Sequence, residues 1–239
     1  MELLFGIRDQ NGKLHDVAPN GPSAVTLPAG GVNGLVGQPK PVTTEFGFAP
    51  GAVLHGYTTG VVEGSIRLLI EPPFTYKQVV GWFSPNRNAY LIVNRWELAV
   101  RLREMVAPPQ VAPDGEPLLE VEIPLVSFDG VWRSAPRRGA RVTNDGDVPV
   151  YPLIEWTGSG AFVQWPSGFV TTLPEVTATS TLETAPWGGF TVRSAGGVNS
   201  VASGKVAGFS EPVAPGATAT LILSKCEAMW RIGKWSPWL

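Results

Sequence analysis

From Arg95 to Val106 the chain reads RWELAVRLREMV, in which Trp96, Leu98, Val100 and Leu102 alternate with Glu97, Ala99, Arg101 and Arg103. A period of two puts every large apolar group of the run on one face of a sheet. Leu, Ala, Arg and Glu are good helix formers, so propensity and pattern disagree. A second alternating run decides for strand: Leu119, Val121, Ile123 and Leu125 in LLEVEIPLVSF repeat the pattern, and the Pro-rich link between the runs contains Asp114-Gly115. Two matched strands and a connecting loop predict a long antiparallel hairpin.

Shorter patterns extend this picture. Leu3 to Arg8, the Asp9-Gln10-Asn11-Gly12 turn and the residues after it predict a first small hairpin, because Asn-Gly between apolar segments is a strong turn signal. Pro19 to Pro50 is rich in Gly and Pro and predicts extended loop with brief strand pairing. GSIRLLI, Gly64 to Ile70, predicts a strand ended by Glu71-Pro72-Pro73, since proline cannot donate to a ladder. In the next segment, FTYKQVVGWFSPNRN, the aromatics Phe74, Tyr76, Trp82 and Phe83 fit neither period. It predicts a protruding arm and makes those four residues candidates for a subunit contact.

RSAPRRGAR, 133 to 141, reads as a polar, basic linker. Beyond it VPVYPLIEWTG, AFVQW, TATSTLET, GFTVRS and ATATLILS follow at roughly 8 to 12 residue spacing, which predicts a sandwich or jelly roll. Within the first of these, Asn144-Asp145-Gly146-Asp147 and Thr157-Gly158-Ser159-Gly160 are turns around a strand from Val148 to Trp156. Pro152 predicts that this strand is an edge or carries a bulge. The expected fold class is all-β, with one domain over residues 1–134 and a second over 135–239.

Composition supports short strands over helices: of 239 residues 44% are hydrophobic, but 28 Gly and 23 Pro interrupt them. Net charge is −2 and the charged fraction 16%, which is low for a soluble domain. Such a surface fits a subunit covered by neighbours, and equally a β-protein with neutral loops. A nucleic-acid reader needs a basic face, and the local cluster Arg133, Arg137, Arg138 and Arg141 lies in the expected linker. Cys226 is alone, so no intramolecular disulfide forms. The N-terminal MELLFGIRDQNGKL is unlike a signal peptide, and no window reaches the ~18 to 20 apolar residues of a membrane span. The expectation is a soluble protein made in the cytosol, with no membrane partner.

Candidate chemistry is sparse. His15 and His55 are the only histidines and no Gly-x-Ser-x-Gly elbow occurs, which leaves a hydrolase triad without parts. Close-spaced Cys and His for zinc are missing too, while a carboxylate-only calcium site stays open. Asp145 with Asp147, and Glu120 with Glu122, are the carboxylate pairs a glycosidase would need; turn chemistry and the solvent face of a strand account for them better. The reading is therefore no enzyme, with no catalytic, metal or cofactor residues. What stands out is nine tryptophans, three of them in the last ten residues. Aromatics serve cores, interfaces and sugar stacking alike, and Trp156, Trp165 and Trp187 are the candidates for glycan or partner contact.

The order of these features resembles the distal tail protein (Dit) family of long-tailed bacteriophages with non-contractile tails, siphovirus-type minor tail proteins. The resemblance rests on GLVGQPKPV, FAPGAVLHGY and GSIRLLI in the first half, then LLEVEIPLVSFDGVWRS. In the second half it rests on VTNDGDVPVYPLIEWTGSG, the strand near STLET, and PVAPGATATLIL. Pro72 to Arg95 and Val106 to Pro117 depart from the pattern. The resemblance implies a structural virion protein at the tail tip, with a first domain that forms a ring, commonly hexameric, and a galectin-like β-sandwich that projects outward. It also implies the partners: other copies of the chain, the tail tube protein, tail tip, hub and tape-measure proteins, and receptor-binding or other minor tail proteins. Phage DNA would touch the ring only in passage through a lumen whose groups should not be strongly basic. The rival expectation is a carbohydrate-binding β-sandwich that recognises host cell-surface glycan.

Overall fold

The computed structural model describes residues 4–18, 23–45, 52–106 and 119–238. It divides the chain into two units, Met1–Arg133 with Lys234–Leu239, and Ser134–Gly233. Both are built almost wholly of strands.

In the first unit the strands are β1 (Phe5–Arg8), β2 (Leu14–Asp16), β3 (Val25–Thr26), β4 (Val32–Gly34), β5 (Pro39–Glu45), β6 (Ala52–Thr59), β7 (Val62–Ile70), β8 (Ala89–Val93), β9 (Trp96–Leu102) and β10 (Leu119–Ser127). One sheet runs β2-β1-β8-β9-β10-β7-β3, with β4 also on β7. Its buried face carries Phe5, Ile7, Ile66, Leu68, Leu91, Leu98, Ile123 and Leu125. The alternation in β9 is realised fully: Trp96, Leu98, Val100 and Leu102 are buried and the residues between them are half-exposed. The strands β9 and β10 are antiparallel neighbours, but they share only Leu102↔Leu125 and Arg101↔Val126. The main partner of β9 is β8, joined to it through Asn94-Arg95 with Asn94 in the left-handed region at φ 53°. A two-residue turn that starts on Asn favours this hairpin over the one across the longer loop. Along its whole length β10 pairs with β7.

Strand β11 (Trp132–Ser134), which pairs with β9, carries the chain out of the first unit, and β23 (Gly233–Lys234) brings it back. The sequence division ran the second domain over 135–239, whereas contacts group Lys234–Leu239 with the first unit. Trp235 is the reason. Its carbonyl accepts from the Gly37 amide at 2.8 Å and its indole donates to Thr59 Oγ1 at 3.1 Å. The Tyr57 ring meets it edge-on at 6.1 Å.

The second unit contains β12 (Arg137–Arg138), β13 (Arg141–Thr143), β14 (Leu153–Gly158), β15 (Phe162–Gln164), β16 (Val170–Thr172), β17 (Val176–Leu182), β18 (Val192–Ser194), β19 (Gly197–Val198), β20 (Thr218–Thr220), β21 (Ile222–Ser224) and β22 (Cys226–Trp230). They form a β-sandwich of three sheets, β12-β22-β14-β17-β18-β19, β16-β15-β21 and β13-β20. Ile154, Trp156, Leu182, Ala228, Val163 and Val142 are buried in its core. Two expectations change here. The strand with Pro152 is not an edge: β14 starts one residue later and pairs with β17 and β22. Pro149 and Pro152 stand ahead of the ladder and take no donor from it, while a register shift between Trp156 and Gly158 supplies the irregularity. Nor is 133–141 a bare linker. Arg138 in β12 bridges Glu155 and Glu227, and Arg137 pairs with Asp145 at 3.0 Å.

Candidate functional site

The segment expected to protrude, Phe74 to Phe83, folds inward. Thr75 caps the single-turn helix α1 (Tyr76–Val80) through a capping box with Gln78. Trp82 and Phe83 are 6% and 4% exposed, so they pack in the core of their own unit and present nothing to a neighbour. The Trp82 ring lies on that of His15 at 3.9 Å, with Phe74 edge-on at 5.9 Å. The Tyr76 hydroxyl donates to the Val106 carbonyl at 2.8 Å. Trp82→Ala is expected to cost about 3–5 kcal/mol of stability through the cavity it leaves. In a urea titration this shows as a lower midpoint, and the folded fraction keeps the particle mass of the parent.

Beneath Trp82, His15 Nε2 lies 3.1 Å from Asp9 Oδ2, and both side chains are buried. Burial alone raises the Asp9 carboxyl. The His15 hydrogen bond, the amides of Lys13 and Asn11, and the charge of His15 when protonated together hold it below the ordinary 3.8. A depressed carboxylate stabilises the fold fully above its unfolded value and loses that contribution as pH falls through the folded one. Asp9→Asn is thus expected to flatten the acid side of a plot of melting temperature against pH, below pH 3.8.

The arm lies elsewhere. Strands β5 and β6 form a two-stranded ribbon that pairs with no other strand among the described residues. Every residue of β5 is exposed, and nearly every one of β6. Pro41 faces Tyr57, Val42 faces Gly56, Thr43 faces Leu54 and Thr44 faces Val53, with His55 bulged out and bonded to Thr44 Oγ1 at 2.8 Å. Successive side chains of β5 point to opposite faces, so Val42 and Val53 lie on one face, and Pro41, Leu54 and Tyr57 on the other. Val42, Val53, Leu54 and Tyr57 are 45 to 56% exposed. A lone two-stranded ribbon is marginal in water, and this one shows apolar groups on both faces. Pro39 and Pro41 blunt the β5 edge, which leaves the edge of β6 as the one able to accept a further strand.

The tryptophan candidates in the second unit separate cleanly. Trp156 is 3% exposed and donates to the Pro174 carbonyl, and Trp165 is 2% exposed and donates to Thr171 Oγ1. Both are core residues with satisfied indoles. Trp187 is 77% exposed, on the 3-10 turn Pro186–Gly188, with Tyr151 edge-on at 5.0 Å. The weighed carboxylates are occupied by structure: Glu120 pairs with Arg67, Glu122 accepts from Ser65, and Asp145 is held by Arg137.

No family model and no curated protein matches the chain. Solved structures do. The crystal structure of the SPP1 Dit protein, described as a paradigm of the hub adsorption apparatus in Gram-positive infecting phages, aligns over 96% of this chain and 99% of its own. The TM-score is 0.59 and the identity 10%. The chain has a Dit-like fold. A chain of the phage P2 baseplate in its activated conformation with Ca aligns over 97% of this chain and 98% of its own, at TM-score 0.55 and 11% identity. One from the same baseplate with Sr covers 96% and 97%, at 0.51 and 10%. With one residue in ten identical, what the Dit-like chains share is strand order and connection. Particular side chains have to be argued from this chain alone.

Proposed function

We propose that this protein is a structural component of a bacteriophage tail, made in the host cytoplasm and carried at the tail tip. There it forms a ring, six copies around, at the distal end of a long non-contractile tail. The reading is carried by the Dit-like fold, which extends over essentially the whole of both chains. In this reading the first unit joins the tail tube to the tip or baseplate, meeting tube, hub and tape-measure proteins. The second projects outward and holds receptor-binding and other minor tail proteins. DNA passes the lumen without being gripped, in keeping with a net charge of −2.

The β5–β6 ribbon is the proposed ring contact, in place of the Phe74 to Phe83 segment. A contact between different patches on successive copies closes into a ring when the rotation closes. A ribbon laid on the next copy covers its apolar groups there, and the free β6 edge offers main-chain hydrogen bonds. The test is the particle mass of purified full-length protein, with two-dimensional class averages. Each copy has a mass of 25.5 kDa, so a six-membered ring is expected at about six times that. A monomer at micromolar concentration, or averages without rotational symmetry, would overturn the ring.

A further inference from the structure

Loop 183–191 holds two aromatics and treats them in opposite ways. Phe190 lies over Gly208, where an added Cβ would come within 2.8 Å of its ring, whereas Trp187 stands out in solvent. The loop is nonetheless tied down at many points. The Glu183 amide donates to the Thr191 carbonyl at 3.0 Å and the Gly188 amide to that of Ala185 at 2.9 Å. Thr191 Oγ1 donates to the Gly188 carbonyl at 2.6 Å, and buried Thr184 donates to that of Pro152 at 2.7 Å. The last bond fixes Tyr151 beside the loop. An indole held in water by an ordered loop is a preformed contact, because little entropy remains to be lost when something stacks on it.

Two polar side chains adjoin this turn, Tyr151 against the Trp187 ring and Glu183 against the next residue. The Glu183 side chain lies against Gly188, where an added Cβ would sit 2.0 Å from its Cγ. Among the described residues, the Trp187 N–H, the Tyr151 hydroxyl and the Glu183 carboxylate have no hydrogen-bond partner. An exposed indole with a donor of its own, and with a donor-acceptor and an acceptor on the residues beside it, matches a sugar ring, which has one C–H face and hydroxyls around its edge. Glu183 is the only charged residue between 183 and 191, so the match is to a neutral sugar over an anionic one.

We infer that Trp187, Tyr151 and Glu183 form a binding platform for a neutral pyranose, which stacks on the Trp187 indole and hydrogen-bonds to the other two through its hydroxyls. The platform is open and flat, so a single ring binds in the millimolar range. The inference is independent of the ring reading, since particle mass and sugar contact are measured separately.

The test is saturation-transfer NMR on the full chain with methyl glucoside, methyl galactoside, methyl rhamnoside and N-acetylglucosamine. The expected result is transfer to the ring C–H protons of at least one probe. That transfer is lost in Trp187→Ala, reduced at least about threefold in Glu183→Gln and Tyr151→Phe, and kept in Trp238→Ala, an exposed tryptophan of the other unit. An unshifted melting temperature shows that each variant is folded. No transfer to any of the four, or transfer that survives Trp187→Ala, overturns the platform. So does a Trp187→Ala protein that binds no differently but changes particle mass, which makes the residue a protein contact.

Discussion

Replacing Val42, Val53 and Leu54 together by serine is expected to convert the proposed ring to monomers at concentrations where the parent assembles. Each of these side chains is about half exposed in the single chain. Covering the exposed half of each contributes roughly 1 kcal/mol, or about 3 kcal/mol for the three at each junction. Removing one copy from a closed ring breaks two junctions. The dissociation constant for that step therefore rises on the order of 10⁴-fold. None of the three belongs to the buried core, so the melting temperature of the isolated chain should move much less than the assembly does. Tyr57 is left unchanged because its ring packs on Trp235 at the ribbon's base. Sedimentation velocity across a dilution series reads the result. A triple variant that sediments as the parent at micromolar concentration removes the ribbon from the contact.

The ribbon was hard to read for a physical reason. Alternation reports a strand with one dry face, as along the whole of β9 and in β10 from Glu120 to Leu125. A ribbon wet on both faces leaves no alternation, and Pro39, Pro41 and Gly56 made it look like loop. The opposite error occurred at Phe74 to Phe83, where a five-residue helix is too short to show a period. Its one local signal was Thr75 with Gln78 three residues on, the spacing of a capping box. Pairings between distant segments were illegible altogether. Trp235 sits on Gly37 and on Thr59, the latter 176 residues upstream, and nothing near Trp235 announces it. For the tryptophans, composition could not separate buried from exposed. The neighbours do so in hindsight: Trp156 and Trp165 lie in or beside strands, while Trp187 lies in Pro-Trp-Gly-Gly, which is turn chemistry around an aromatic. Strand order was beyond the sequence, and it is what ties the chain to the Dit-like fold.

Asn144→Ala is expected to be the most damaging single polar substitution in the second unit. In Asn144-Asp145-Gly146-Asp147 the carboxylates draw the eye, but the asparagine holds the structure. It is fully buried, and its side-chain amide donates to the carbonyls of Val148 at 2.9 Å and Val213 at 2.8 Å. Its Oδ1 accepts the Gly146 amide at 3.0 Å, while its own backbone bonds to Ala217 and Gly216. One side chain thus closes the turn and fastens it to 213–217. The Gly146 it positions lies so close to Gly233 that an added Cβ would come within 2.4 Å of the Gly233 carbonyl. Alanine leaves the Val148 carbonyl and the Gly146 amide without partners and takes one of two donors from the Val213 carbonyl, which keeps the Val150 amide at 3.0 Å; at about 1–3 kcal/mol for each orphaned group, partly recovered by water, the net loss is roughly 2–4 kcal/mol. Asn144→Asp should do no better, because it keeps the acceptor for Gly146 but turns oxygen toward the Val148 and Val213 carbonyls. Asp145→Ala, one residue on, breaks only exposed contacts such as the Arg137 pair and should cost about 0–1 kcal/mol. Denaturant unfolding of the three variants side by side measures the contrast. Equal midpoints for Asn144→Ala and Asp145→Ala would mean that the turn is held by its backbone alone.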